Sequence, residues 1–140
     1  MELARRLLEH SPVVAVLGAH HEASRAAHYV PAYLVSKGYD VWPVNPRLVG
    51  SELFGHPVVA TLTEVPVAVD LVDVFRRPET LDAHVDEILA MSPQPKAVWF
   101  QLGIVNDAAA TRLREAGLEV VQDRCTLADH RRFGLGAPQR

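Results

Sequence analysis

The stretch Val13-Val14-Ala15-Val16-Leu17-Gly18-Ala19-His20-His21-Glu22-Ala23-Ser24-Arg25 decides the fold. Five apolar residues run without a break and stop at a glycine, the pattern of a strand buried on both faces. A short polar loop follows. A helical pattern then opens near Arg25, with Ala26, Ala27, Val30, Tyr33, Leu34 and Val35 on its apolar face. Gly18 permits a sharp exit from the strand and a close approach of another molecule to the backbone. Unpaired N–H groups at a helix start suit phosphate. This strand, turn and helix are therefore expected to hold the phosphates of a nucleotide-type ligand. Pro31 removes one hydrogen bond from the helix and should kink it.

Outward from this unit the pattern repeats. Residues 2–9 read as a short helix before Ser11-Pro12, and Gly38 stops the helix that began near Arg25. Strands are expected over 39–44, 69–75, 97–102 and 118–122, with a short edge strand at 57–59 and one helical turn at 61–64. Pro78 suits the first position of a helix running to about residue 90. Asn106 can cap a helix over 107–116, which Gly117 ends. From about residue 123 the Arg-rich tail reads as irregular. Strands alternating with helices imply a single α/β domain, a doubly wound, mainly parallel sheet of about five strands. In such sheets ligands bind beyond the C-terminal strand ends, near the switch in strand order. Those ends carry Gly18, Asn45-Pro46, Phe75-Arg76-Arg77 and Gln101-Leu102-Gly103, expected to form one crevice.

Bulk properties narrow the function. The 140 residues suit one domain, and a formal net charge of -3 argues against general affinity for nucleic acid. Apolar runs fall far short of the ~20 residues that span a bilayer. Residues 1–6 lack the apolar stretch of a secretory signal. The single cysteine, Cys125, excludes an internal disulfide framework and suits the cytoplasm.

The nucleotide is not plain NAD. A G-x-G-x-x-G fingerprint from Gly18 would need glycines where His20 and Ala23 stand, and no acid closes the second strand, which reads Val44-Asn45-Pro46-Arg47. No G-K-[ST] sequence exists for a Walker loop. A cation past the second strand is where this fold accommodates an extra ribose phosphate. Arg47 fits that role for NADP or coenzyme A, and on its own reads equally as a solvated loop arginine. Arg25, at the helix start, is a candidate partner for the diphosphate.

Taken together, Val14-Ala15-Val16-Leu17-Gly18-Ala19, Val44-Asn45-Pro46, Val72-Asp73-Val74-Phe75-Arg76-Arg77-Pro78-Glu79, Trp99 to Asn106, and Asp123-Arg124-Cys125 with His130 form a recognisable series. The chain resembles the small stand-alone CoA-binding proteins (the YccU-like family), similar to the CoA-binding domain of the succinyl-CoA synthetase alpha subunit. That resemblance implies a Rossmann-like domain with coenzyme A across the strand ends. By position, Gly18, Ala19, His20 and Arg25 would face the phosphates. Asn45, Pro46 and Arg47 would meet the adenosine, and Val74, Phe75 and Arg76 would line the next strand end. Gln101, Gly103 and Asn106 would flank the pantetheine. The family usually carries a small hydroxyl residue where this chain has His20, a bulkier group that titrates near neutrality.

No catalytic constellation is expected. The histidines lack metal-ligand spacing, and Cys125 with His130 is too sparse for a zinc module. Cys125 reads as a small core or strand-end residue. Asp73, mid-strand, needs a partner if buried, with an arginine or a backbone cap expected. The residues thus favour a CoA or acyl-CoA binding module without chemistry of its own. The alternatives are an NADP-dependent oxidoreductase using the same crevice and a regulatory or interaction domain. A protein partner or a second copy of the chain stays open.

Overall fold

A computed structural model describes residues 2–140. The elements are α1 (Glu2–His10), β1 (Val13–Leu17), α2 (Ala26–Ser36), β2 (Asp40–Val44), β3 (Glu52–Leu53), β4 (His56–Pro57), β5 (Leu71–Val74), α3 (Leu81–Leu89), β6 (Ala97–Phe100), α4 (Asp107–Glu115), β7 (Glu119–Val121) and α5 (Thr126–Arg132). Five strands form one parallel sheet in the order β2-β1-β5-β6-β7. The order reverses between β1 and β5, so the expected doubly wound sheet is present and its switch point lies at the ends of those two strands. No helix of the described residues is long and apolar enough to cross a membrane.

Alternation along each strand divides the core. Ala15, Leu17, Val72, Val74, Val98 and Phe100 point to the face covered by α3 and α4, where Leu81, Val85, Ile88, Ala109, Ala110 and Leu113 are buried. Val14, Val16, Leu71, Ala97 and Trp99 point the other way, against Ala4, Leu7 and Leu8 of α1 and Leu34 of α2. Helix α5 closes this second face beside α1 and α2. Burying β1 on both sides explains its unbroken apolar sequence.

Three expectations need correction. Residues 126–132 are helical, not part of an irregular tail. Buried Thr126, Asp129 and His130 fasten this helix, and polar anchors leave no apolar periodicity to read. Second, the expected edge strand at 57–59 is divided: Pro57 pairs antiparallel within the β3–β4 hairpin, and Val59 makes one parallel bridge to Val44. Third, among the described residues Asp73 has neither an arginine nor a backbone cap. Its carboxylate accepts from Gln101 Nε2 at 2.5 Å and from Thr126 Oγ1 at 3.3 Å.

Candidate anion-binding cleft

Gly18 occupies a left-handed conformation, φ +92°, in which an added Cβ would sit 2.5 Å from the Phe75 carbonyl oxygen and 3.2 Å from Arg76 Cδ. Only a glycine lets the β1 and β5 ends approach this closely, with the Arg76 stem lying across the turn. The Gly18 and Ala19 amides donate to the Val44 carbonyl at 2.9 and 3.3 Å. The amides directly after β1 are thus engaged by β2. Further along, the amides of His21, Ala23 and Ser24 in the loop and of Ala26 and Ala27 in the first turn of α2 have no acceptor among the described residues.

The proline in α2 has a direct consequence here. Pro31 has no N–H to donate to the carbonyl four residues back, that of Ala27. The His20 amide donates to this carbonyl instead, at 3.2 Å. A defect inside the helix thereby ties down the loop in front of it. His28 Nδ1 adds a second tie, donating to the His20 carbonyl at 2.8 Å.

Asn45 welds the next strand end into place. Its Nδ2 donates to the Ala19 carbonyl at 2.8 Å, and its Oδ1 accepts from the Arg47 amide at 2.9 Å, capping the short 3-10 turn Pro46–Leu48. That turn presents Arg47. Together these ends enclose an open cleft of about 910 Å³, lined by Gly18, His20, Arg25, Asn45, Pro46, Arg47, Phe75 and Arg76. The lining also includes Arg77, which the sequence placed in the crevice, and His21, Ala26, Ala27, Leu48, Pro78 and Ile104, which it did not.

The other expected residues lie elsewhere. Ala19 and Val74 are fully buried. Gln101, also buried, turns its amide onto Asp73 and Thr126. The Gly103 amide donates to Asp123 Oδ1 at 2.7 Å. Asn106 caps α4 by accepting from the Ala109 amide at 3.0 Å, and its Nδ2 donates to the Pro78 carbonyl. A position at a strand end does not reveal where a side chain will turn, which is why sequence alone groups these residues with the cleft.

The electrostatics are one-sided. Arg25, Arg47, Arg76 and Arg77 line the cleft, and no carboxylate does. Arg25 pairs loosely with Glu22 at 3.7 Å. Among the described residues, Arg47, Arg76 and Arg77 have no carboxylate within ion-pair distance. Arg76 Nε is buried and has no hydrogen-bond partner among the described residues. Burial pushes the Arg76 guanidinium below its ordinary value; the Glu87 charge opposes this, and the Arg47 charge adds to it. Glu87 itself accepts from the Leu62 amide at 2.6 Å and from His84 Nδ1 at 2.9 Å. A buried, unsatisfied donor on a cation is costly unless an anion answers it.

Cys125 and His130 form no nucleophile–base pair. His130 Nε2 donates to the Gly136 carbonyl at 2.9 Å, leaving Nδ1 to accept from the Tyr33 hydroxyl at 2.8 Å. Both ring nitrogens hold the chain together. No cluster of three or more metal-ligating side chains occurs among the described residues.

Fold and cleft define an open, doubly wound α/β domain with a cationic groove at its switch point. The chain belongs to the CoA binding domain family, which it matches over residues 12–131. It is 33% identical to YneT of Bacillus subtilis over 126 residues, 90% of each chain. A solved structure from Thermus thermophilus superposes with a TM-score of 0.89 at 47% identity, covering 94% of this chain and 96% of that one. A Pyrococcus horikoshii protein of solved structure follows at 0.86 and 33% identity, over 94% of this chain and 89% of its own.

Proposed function

We propose that the protein binds coenzyme A or an acyl-CoA in this cleft and performs no chemistry on it. The observation that carries the reading is the set of guanidinium groups gathered without a carboxylate in a chain of net charge -3. Coenzyme A brings a diphosphate and a ribose phosphomonoester, about four negative charges in all. The diphosphate lies over Gly18, against the free amides of Ala26 and Ala27 and the Arg76 guanidinium. Asn45, Pro46 and Arg47 take the adenosine end, with Arg47 on the ribose phosphate. The pantetheine leaves past Phe75 and Ile104. A binding role without catalysis is supported by the commitment of His130 and Asp73 to structural hydrogen bonds.

Thermal unfolding with added ligand tests this. A ligand at 100 times its Kd stabilises by about 2.7 kcal/mol. CoA should stabilise strongly, dephospho-CoA less, and NADPH least. Arg47→Ala should narrow the gap between CoA and dephospho-CoA. Stabilisation by NADPH alone overturns the proposal in favour of an oxidoreductase. No response to either coenzyme leaves an interaction domain.

A further inference from the structure

The loop between β1 and α2 brings two adjacent histidines to the cleft, His20 and His21, with rings stacked 4.8 Å apart at 12°. His20 is held on three sides. Its amide and carbonyl engage Ala27 and His28, and its ring Nδ1 accepts from the Glu22 amide at 3.0 Å. An imidazole that accepts at Nδ1 carries its hydrogen on Nε2. Among the described residues, His20 Nε2 has no hydrogen-bond partner. The ring is therefore a fixed Nε2 donor in a groove of cations.

We propose that His20 is a proton-linked ligand of the anion in this cleft, so that binding takes up a proton. The inference rests on the diphosphate being held here. Histidine is the side chain whose charge ordinarily changes between pH 5 and 8. Protonation at Nδ1 replaces an acceptor with a donor and breaks the bond from Glu22. Arg47, Arg76 and Arg77 of the β2 and β5 ends line the same cleft.

The remaining neighbours are on the loop and α2. Glu22 lies between Arg25, at 3.7 Å, and His21 Nε2, at 3.9 Å, so its charge is shared with those two. His28 faces the His20 backbone, not its ring. A bound diphosphate answers the guanidinium groups of the cleft and places negative charge before Nε2. The Glu22 amide is exposed and can bond to water, so losing its bond matters less than gaining a full charge opposite a dianion.

Calorimetric titration with dephospho-CoA isolates the effect, because this ligand keeps the diphosphate and lacks the phosphomonoester that titrates near pH 6. Measurements at pH 6 and pH 8, in buffers of different ionisation enthalpy, give both affinity and protons taken up. The wild-type chain should bind about tenfold more tightly at pH 6, the equivalent of one unit of differential titration. His20→Ser should bind with the same affinity at both pH values and take up no proton. His21→Ser should keep the wild-type slope. A slope shared by wild type and His20→Ser overturns this inference alone, as does a slope lost only in His21→Ser. Absence of binding by every variant, with CoA as well, overturns the binding reading and this inference with it.

Discussion

Replacing Asp73 with asparagine tests how the core is balanced. Asp73 is fully buried on β5, and burial pushes its carboxyl from 3.8 up to about 7, against the opposing hydrogen bonds of Gln101 and Thr126. A rise of roughly 3 units corresponds to about 4 kcal/mol at 1.36 kcal/mol per unit. The sign follows from where the protons sit. Between pH 4 and 7 the folded chain keeps a proton on Asp73 that the unfolded chain has already released. Stability contributed by this group therefore falls as pH rises through that window and is level above it. Asparagine keeps the shape without the charge, accepting from Gln101 and donating to Thr126. Urea unfolding of both proteins at pH 5, 6.5 and 8 should show the Asp73→Asn chain gaining on the wild type as pH rises. By pH 8 the gain should reach up to about 4 kcal/mol. A difference that is flat with pH, or that moves the other way, would refute the reasoning.

Three further outcomes follow from the cleft. Gly18→Ala places a methyl 2.5 Å from the Phe75 carbonyl at φ +92°, and should lower stability by about 1–3 kcal/mol in urea unfolding. Arg76→Gln should weaken CoA about tenfold or more in calorimetry, while the melting temperature of the free protein does not fall, since a desolvated and unpaired charge has been removed. Pro31→Ala supplies an N–H that competes with His20 for the Ala27 carbonyl. The melting temperature should rise while hydrogen exchange at the His20 amide accelerates.

Much of the scaffold was legible because burial on both faces writes itself into sequence. The runs at Val13–Leu17, Leu71–Val74 and Ala97–Phe100 are apolar for that reason, save for Asp73, and each is a strand of the sheet. Asn106 reads correctly as a helix cap because capping is a local act. The β3–β4 hairpin is two residues per strand, too short for alternation to register. Gln101 illustrates a different limit. Its place at the end of β6 is evident in the sequence, but its choice of Asp73 and Thr126 depends on a helix that follows much later in the chain. Arg77 was visible beside Arg76, yet nothing in the sequence marks both as lacking acidic partners. That property belongs to the assembled strand ends.

The two extremities of the chain are joined at the side of the molecule covered by α1. The Gln139 amide donates to the Glu9 carbonyl at 2.8 Å, and Arg6 grips Glu119 through two nitrogens at 2.9 and 2.7 Å. Helix α1 precedes α5, the helix it packs against, by more than 110 residues. Until α5 has been made, the apolar stripe of Leu7 and Leu8 on α1 has an incomplete berth. Such late, long-range closure slows folding and leaves a greasy surface open to other chains in the interval. Crowded expression at high temperature is the circumstance in which that interval would tell.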